Sequence, residues 1–109
     1  GINTFSGGTT LSGGTLTVTG NGTAGTSAIT VGSGAALDVQ NTLANAVTLN
    51  GGTLETTTGT GIVSGPVALD GSGTFATGAG ATLTVSGAVS GGASPNALTV
   101  SGPGTVVLT

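Results

Sequence analysis

The 109-residue chain contains 24 Gly, 23 Thr, 13 Ala and 10 Ser, so four small residue types make up almost two thirds of it. It has no Lys, Arg, His, Cys, Met, Trp or Tyr, and its only ionisable side chains are Asp38, Glu55 and Asp70, for a net charge of −3. These absences argue against acid–base and covalent catalysis, phosphate-neutralising nucleic-acid binding, zinc or haem ligation and a disulfide framework. The chain is therefore expected not to be an enzyme, with no catalytic, cofactor-binding or metal-ligating residue, no cofactor and no nucleic-acid partner.

Composition alone leaves disorder open, because Gly, Pro and Ser together exceed the fraction that marks low-complexity chains. Leu, Ile, Val and Phe nevertheless amount to about 24% of the residues, above the roughly 20% floor below which chains stay disordered. No apolar run approaches the roughly 20 residues needed to cross a bilayer, so no membrane insertion by this segment is expected. Both chain ends fall within the repeat pattern, which reads as an internal segment of something longer.

The order of the residues carries more information than their proportions. In chain order, Thr10–Leu16 (TLSGGTL), Thr30–Leu37 (TVGSGAAL), Thr48–Leu54 (TLNGGTL) and Ala68–Phe75 (ALDGSGTF) share one form: apolar, any residue, apolar, a short Gly turn, then a second alternating segment. They recur at Leu11, Val31, Leu49 and Leu69, in steps of 20, 18 and 20 residues. A further step of 20 reaches Val89 in a degenerate copy, and Leu98–Val106 (LTVSGPGTV) closes the series.

Stretches such as Leu16-Thr17-Val18, Leu37-Asp38-Val39 and Leu83-Thr84-Val85 alternate with a period of two, which places apolar side chains on one face of a strand. No window carries helical spacing, and Gly costs a helix about 1 kcal/mol relative to Ala. Asn21-Gly22, Asn50-Gly51 and Asp70-Gly71 could each close a hairpin. A hairpin fold gives no reason for a period near 20, whereas a parallel β-helix needs one coil per period. The expectation is an all-β, right-handed parallel β-helix, or β-solenoid, of about five coils of roughly 18–22 residues, a single module over 1–109. Gly-Gly pairs would form its corners. Neither end has a capping helix or a charged edge, so the solenoid would be uncapped at both ends.

Joining the tail to the head gives Gly102–Thr109 followed by Asn3–Leu16, a string that resembles the autotransporter-associated β-strand repeat, or passenger-associated transport repeat, of bacterial surface proteins. That family runs Gly-x-Gly-Thr-Leu-x-Leu-x-Gly into Asn-Thr-Tyr-x-Gly-Gly-Thr, and Phe5 stands where it usually has Tyr. The resemblance covers these two pieces, and the remaining coils share only its texture. It implies a right-handed β-helix on the Gram-negative outer surface, acting as an adhesin shaft or stalk. The circular join points to one period of a longer tandem array or of a stacked filament.

Other signals have plainer readings. Gly20–Gly25 fits G-x-G-x-x-G but lacks the helix and acidic partner of a dinucleotide site. Asp38, Glu55 and Asp70 lie 17 and 15 residues apart, too dispersed for a calcium site, and are expected as solvated surface charges. Asn21-Gly22-Thr23 is a formal glycosylation sequon expected to be a turn. Asn45 and Asn50 could form inward ladders along the stack. Two functions remain: a structural module forming an extracellular surface fibre, adhesin shaft or coat by end-to-end stacking, in support of adhesion or biofilm, or an ice-binding solenoid using a flat Thr-rich face. Expected partners are copies of itself or adjacent repeats, and a host or neighbouring-cell surface.

Overall fold

A computed structural model describes residues 1–91 and 96–109. The chain winds through five coils. The first holds β1 (Thr9–Leu11) and β2 (Gly14–Thr19), and the second β3 (Ile29–Gly32), β4 (Ala35–Gln40) and β5 (Thr42–Leu43). The third holds β6 (Val47–Asn50), β7 (Thr53–Thr56) and β8 (Thr60–Val63), and the fourth β9 (Val67–Leu69), β10 (Gly73–Thr77) and β11 (Thr82–Val85). The last holds β12 (Val89–Gly91), β13 (Leu98–Ser101) and β14 (Thr105–Leu108).

Successive coils stack their strands into three sheets. Face A has the order β1-β3-β6-β9-β12, face B β2-β4-β7-β10-β13 and face C β5-β8-β11-β14. Every pairing between these strands is parallel. Among the described residues there is no helix, and the single antiparallel bridge, between Gly32 and Gly51, joins two corners rather than a hairpin. The fold is thus the parallel β-helix that the period near 20 predicts.

Alternation within each strand sends every second side chain inward, and the parallel register lines those side chains up along the axis. On face A, Leu11, Val31, Leu49 and Leu69 form one column, reproducing the 20, 18 and 20 steps of the sequence. On face B the column is Leu16, Leu37, Leu54, Phe75 and Val100, and on face C it is Leu43, Val63, Val85 and Leu108. Leu37, Leu54 and Phe75 are completely buried, and each such side chain contributes about 1.5–3 kcal/mol of transfer free energy.

The fifth coil departs from the sequence expectation. Val89 lies on face A but pairs with Val67, so Gly91 stands opposite Leu69. Leu98–Val106 does not repeat the face A–turn–face B unit; it forms β13 on face B and β14 on face C. The reason is the number of residues between the face A and face B strands. Two residues separate β1 from β2, three separate β9 from β10, and six separate β12 from β13. Steps along face B consequently run 21, 17, 21 and 25 residues.

Gly-Gly pairs do mark corners at Gly13-Gly14 and Gly51-Gly52, where Gly51 adopts φ 82°, a conformation that a side chain would strain. The Gly91-Gly92 pair runs into residues outside the described ones. At the C-to-A corner, as at Gly52, the backbones of successive coils nearly touch. A Cβ on Gly65 would lie 2.3 Å from the Asn45 carbonyl oxygen, and one on Gly87 2.0 Å from that of Gly65.

The first coil has no strand on face C. Residues 20–28 cross that side as an irregular connection, and two asparagines of the second coil hold it. Asn41 Nδ2 donates to the carbonyls of Gly20 (3.1 Å) and Gly22 (2.8 Å). Asn45 Nδ2 donates to those of Ala24 (3.2 Å), Gly25 (3.2 Å) and Ser27 (2.8 Å). Asn45 is buried, yet it builds no Asn ladder, since the next coils place Gly65 and Gly87 at that corner; Asn50 is exposed.

Candidate functional site

Three inward columns must stop somewhere, and where they stop they meet solvent. In the last coil Val89 is 36% exposed, Val100 56% and Leu108 54%. At the other end Phe5 is 48% and Ile2 73% exposed, while Leu11 and Leu16 are half-buried. Among the described residues these five are the large hydrophobics that stand exposed, and all belong to the two ends. β12, β13 and β14 each pair along one edge, as do β1 and β2 at the opposite end, so both ends also offer unpaired backbone N–H and C=O groups.

The two ends differ in shape. Residues 1–8 lie beneath the 20–28 connection. The Thr23 N–H donates to the Gly1 carbonyl (3.1 Å) and the Thr26 N–H to that of Phe5 (3.2 Å). Asn3 N–H donates to Thr23 Oγ1 (2.8 Å), the Thr23 hydroxyl to the Asn3 carbonyl (2.9 Å) and Asn3 Nδ2 to the Thr23 carbonyl (2.6 Å). The Ser27 hydroxyl donates to the Ser6 carbonyl. Between this segment and the first coil opens a hollow of about 290 Å³, with Phe5, Leu11, Leu16, Val18 and Ala24 among its lining.

The outer faces carry the polar side chains. Along face B the outward pairs are Thr15/Thr17, Ala36/Asp38, Thr53/Glu55, Thr74/Ala76 and Thr99/Ser101. One column is Thr except at Ala36, and the other changes residue type at nearly every coil. On face C, Thr82/Thr84 stacks between Thr60/Ile62 and Thr105/Val107. Neither face presents a double column of Thr.

Two of the three acidic residues depart from the sequence expectation. Asp38 is not a solvated surface charge: it is 4% exposed. Its Oδ1 accepts from the Thr57 N–H (3.1 Å), and its Oδ2 from the Thr57 hydroxyl (2.7 Å) and Gln40 Nε2 (2.9 Å). Nor is it remote from Glu55, because the 17-residue step across face B makes the two register partners. Burial, and secondarily the Asp38 carboxylate, push the Glu55 pKa above its ordinary 4.5. The neighbourhood in folded space was hidden by the irregular step. Asp70 is exposed, just beyond β9. Among the described residues no three His, Cys, Asp or Glu side chains cluster in a way that could hold a metal ion.

The remaining motifs take structural roles. Gly20–Gly25 precedes no helix, and its carbonyls accept the Asn41 and Asn45 amides. Asn21 is exposed in a turn that the Gly22 N–H closes on the Thr19 carbonyl (2.8 Å). The arrangement is that of a β-solenoid whose distinctive surfaces are its ends. No protein-family model, curated protein or solved structure matches the chain.

Proposed function

We propose that this chain is a structural, non-enzymatic β-solenoid module that builds an extracellular fibre, adhesin shaft or coat by end-to-end stacking of coils. The observation that carries the reading is the location of the exposed apolar side chains. Inward leucine, valine and phenylalanine of the middle coils are at most 7% exposed, and the same columns emerge into water only at the two ends. Adding a coil at either end would bury them and pair the free strand edges, as each internal coil does for its neighbours.

Shape supports the same reading. Five rungs at about 4.8 Å give an axial rise of about 24 Å, against principal extents of 37 × 33 × 26 Å. The largest extents exceed that rise, so one module is wider than it is tall, its ends are a large part of its surface and elongation requires more modules. These are supplied either by a tandem array or by further copies. The outward Thr and Ser supply a wet, nearly uncharged exterior, and the tail-to-head resemblance to a bacterial passenger repeat favours a Gram-negative outer surface as the location. The interrupted Thr columns favour this role over ice binding.

Electron microscopy and sedimentation of the purified chain test the proposal. An unbranched fibre with an axial repeat of about 24 Å is the expected result. Val100→Lys with Leu108→Lys should abolish it while leaving the circular dichroism of the monomer unchanged. Chains that remain 9.8 kDa monomers at every concentration, with or without their first eight residues, together with a tail-to-head tandem of two chains that is no longer than one module, would overturn it.

A further inference from the structure

We infer that residues 1–8 are a displaceable plug, occupying the rung into which β14 of a preceding copy inserts when two copies stack. The inference rests on the stacking reading and follows from the order of faces along the chain. In a stack that seats β1 of one copy on β12 of another and β2 on β13, the face C rung directly below residues 20–28 is the preceding copy's β14. That rung is already held by residues 1–8, through Thr23, Thr26 and Ser27. One slot has two claimants.

Their strengths differ. All eight residues of the plug are exposed and none belongs to a strand; it is attached by the Asn3–Thr23 clasp, by single hydrogen bonds at Gly1, Phe5 and Ser6, and by Phe5 against Gly25. β14 is a strand whose Val106 and Leu108 continue the inward columns of Leu83 and Val85, and its outer edge is unpaired. Leu108 and Val100 project from one end, while the hollow beside Leu16, Val18 and Ala24 opens at the other. If the plug stayed in place and sat on β14, faces A and B would remain a full rung apart, about 4.8 Å, leaving two of three ladders unpaired. Flush stacking therefore requires the plug to leave, and the partner that replaces it is a second copy of this chain.

A reversible lock provides the test. The chain has no native cysteine, and Asn3 and Thr23 are joined by three hydrogen bonds on adjacent rungs; a rung spacing of about 4.8 Å falls inside the Cα range of about 4.4–6.8 Å that a disulfide spans. Oxidised Asn3→Cys/Thr23→Cys protein should sediment as a 9.8 kDa monomer and assemble once reductant is added. Deleting residues 1–8 should lower the concentration at which oligomers appear by about tenfold or more, equivalent to about 1.4 kcal/mol of removed competition. Equal assembly of the oxidised, reduced and deleted forms would overturn the plug and leave stacking intact. Absence of assembly in all three, with native circular dichroism, would overturn stacking itself and the plug with it.

Discussion

Asp38 and Glu55 stand side by side on adjacent rungs of face B, one carboxylate buried under three hydrogen-bond donors and the other half-buried beside it. No Lys, Arg or His exists anywhere in the chain to compensate them, and on the far side Glu55 meets only Ala76. Burial first and Asp38 second raise the Glu55 pKa above 4.5, so the folded state holds that proton more tightly than the unfolded chain does. This contribution to stability is fully present below about pH 4.5 and is lost as pH rises through the raised folded value. Melting temperature should therefore climb on acidification from neutrality toward pH 4.5, where Glu55 is concerned. Glu55→Gln should flatten that slope and be more stable than the parent at pH 7; an unchanged slope would remove Glu55 as its cause.

Thr56 and Thr77 are stacked in register in the interior, with opposite hydrogen bonding. The Thr56 hydroxyl donates to the Val39 carbonyl at 2.7 Å, whereas Thr77 Oγ1 has no partner among the described residues. Thr56→Val should cost about 1–3 kcal/mol by orphaning a buried carbonyl, and Thr77→Val should be neutral or stabilising, because the near-isosteric methyl removes an unmet desolvation penalty. Urea midpoints at constant m-value distinguish the two.

Two glycines separate conformational strain from steric exclusion. Gly80 has φ 74° with open space around it, so Gly80→Ala should cost about 1–2 kcal/mol. Gly65 has no such φ, but a Cβ there would meet the backbone oxygens of Asn45 at 2.3 Å and Ala44 at 2.6 Å. Coils must part to admit it, and Gly65→Ala should cost about 3 kcal/mol or more. Equal losses in chemical denaturation would contradict this account of the corner.

Phe75 fills the face B column between Leu54 and Val100 and is completely buried. Phe75→Ala should lose about 3–5 kcal/mol through transfer and cavity terms, while Phe75→Leu should lose less than about 1.5 kcal/mol once repacked. Because each coil supports the next, the alanine variant should also show increased hydrogen exchange in β7 and β13 relative to β2.

The repeat and its consequence are legible in the chain: alternation fixes which side chains point inward, and the recurrence of Leu11, Val31, Leu49 and Leu69 aligns four coils. The tertiary structure alone decided what lies between those anchors. Between the face A and face B strands stand two to six residues, which shift face B relative to face A by unequal amounts from coil to coil; this moves Leu98–Val106 onto faces B and C and brings Asp38 against Glu55. Asn45 likewise shows no special pattern in the chain, yet the irregular 20–28 connection, which stands where the first coil lacks a face C strand, turns three carbonyls toward it and makes it a clamp. Inward or outward is a local property with a period of two; lateral neighbourhood depends on how many residues each corner consumes, and that is set only when the coils pack.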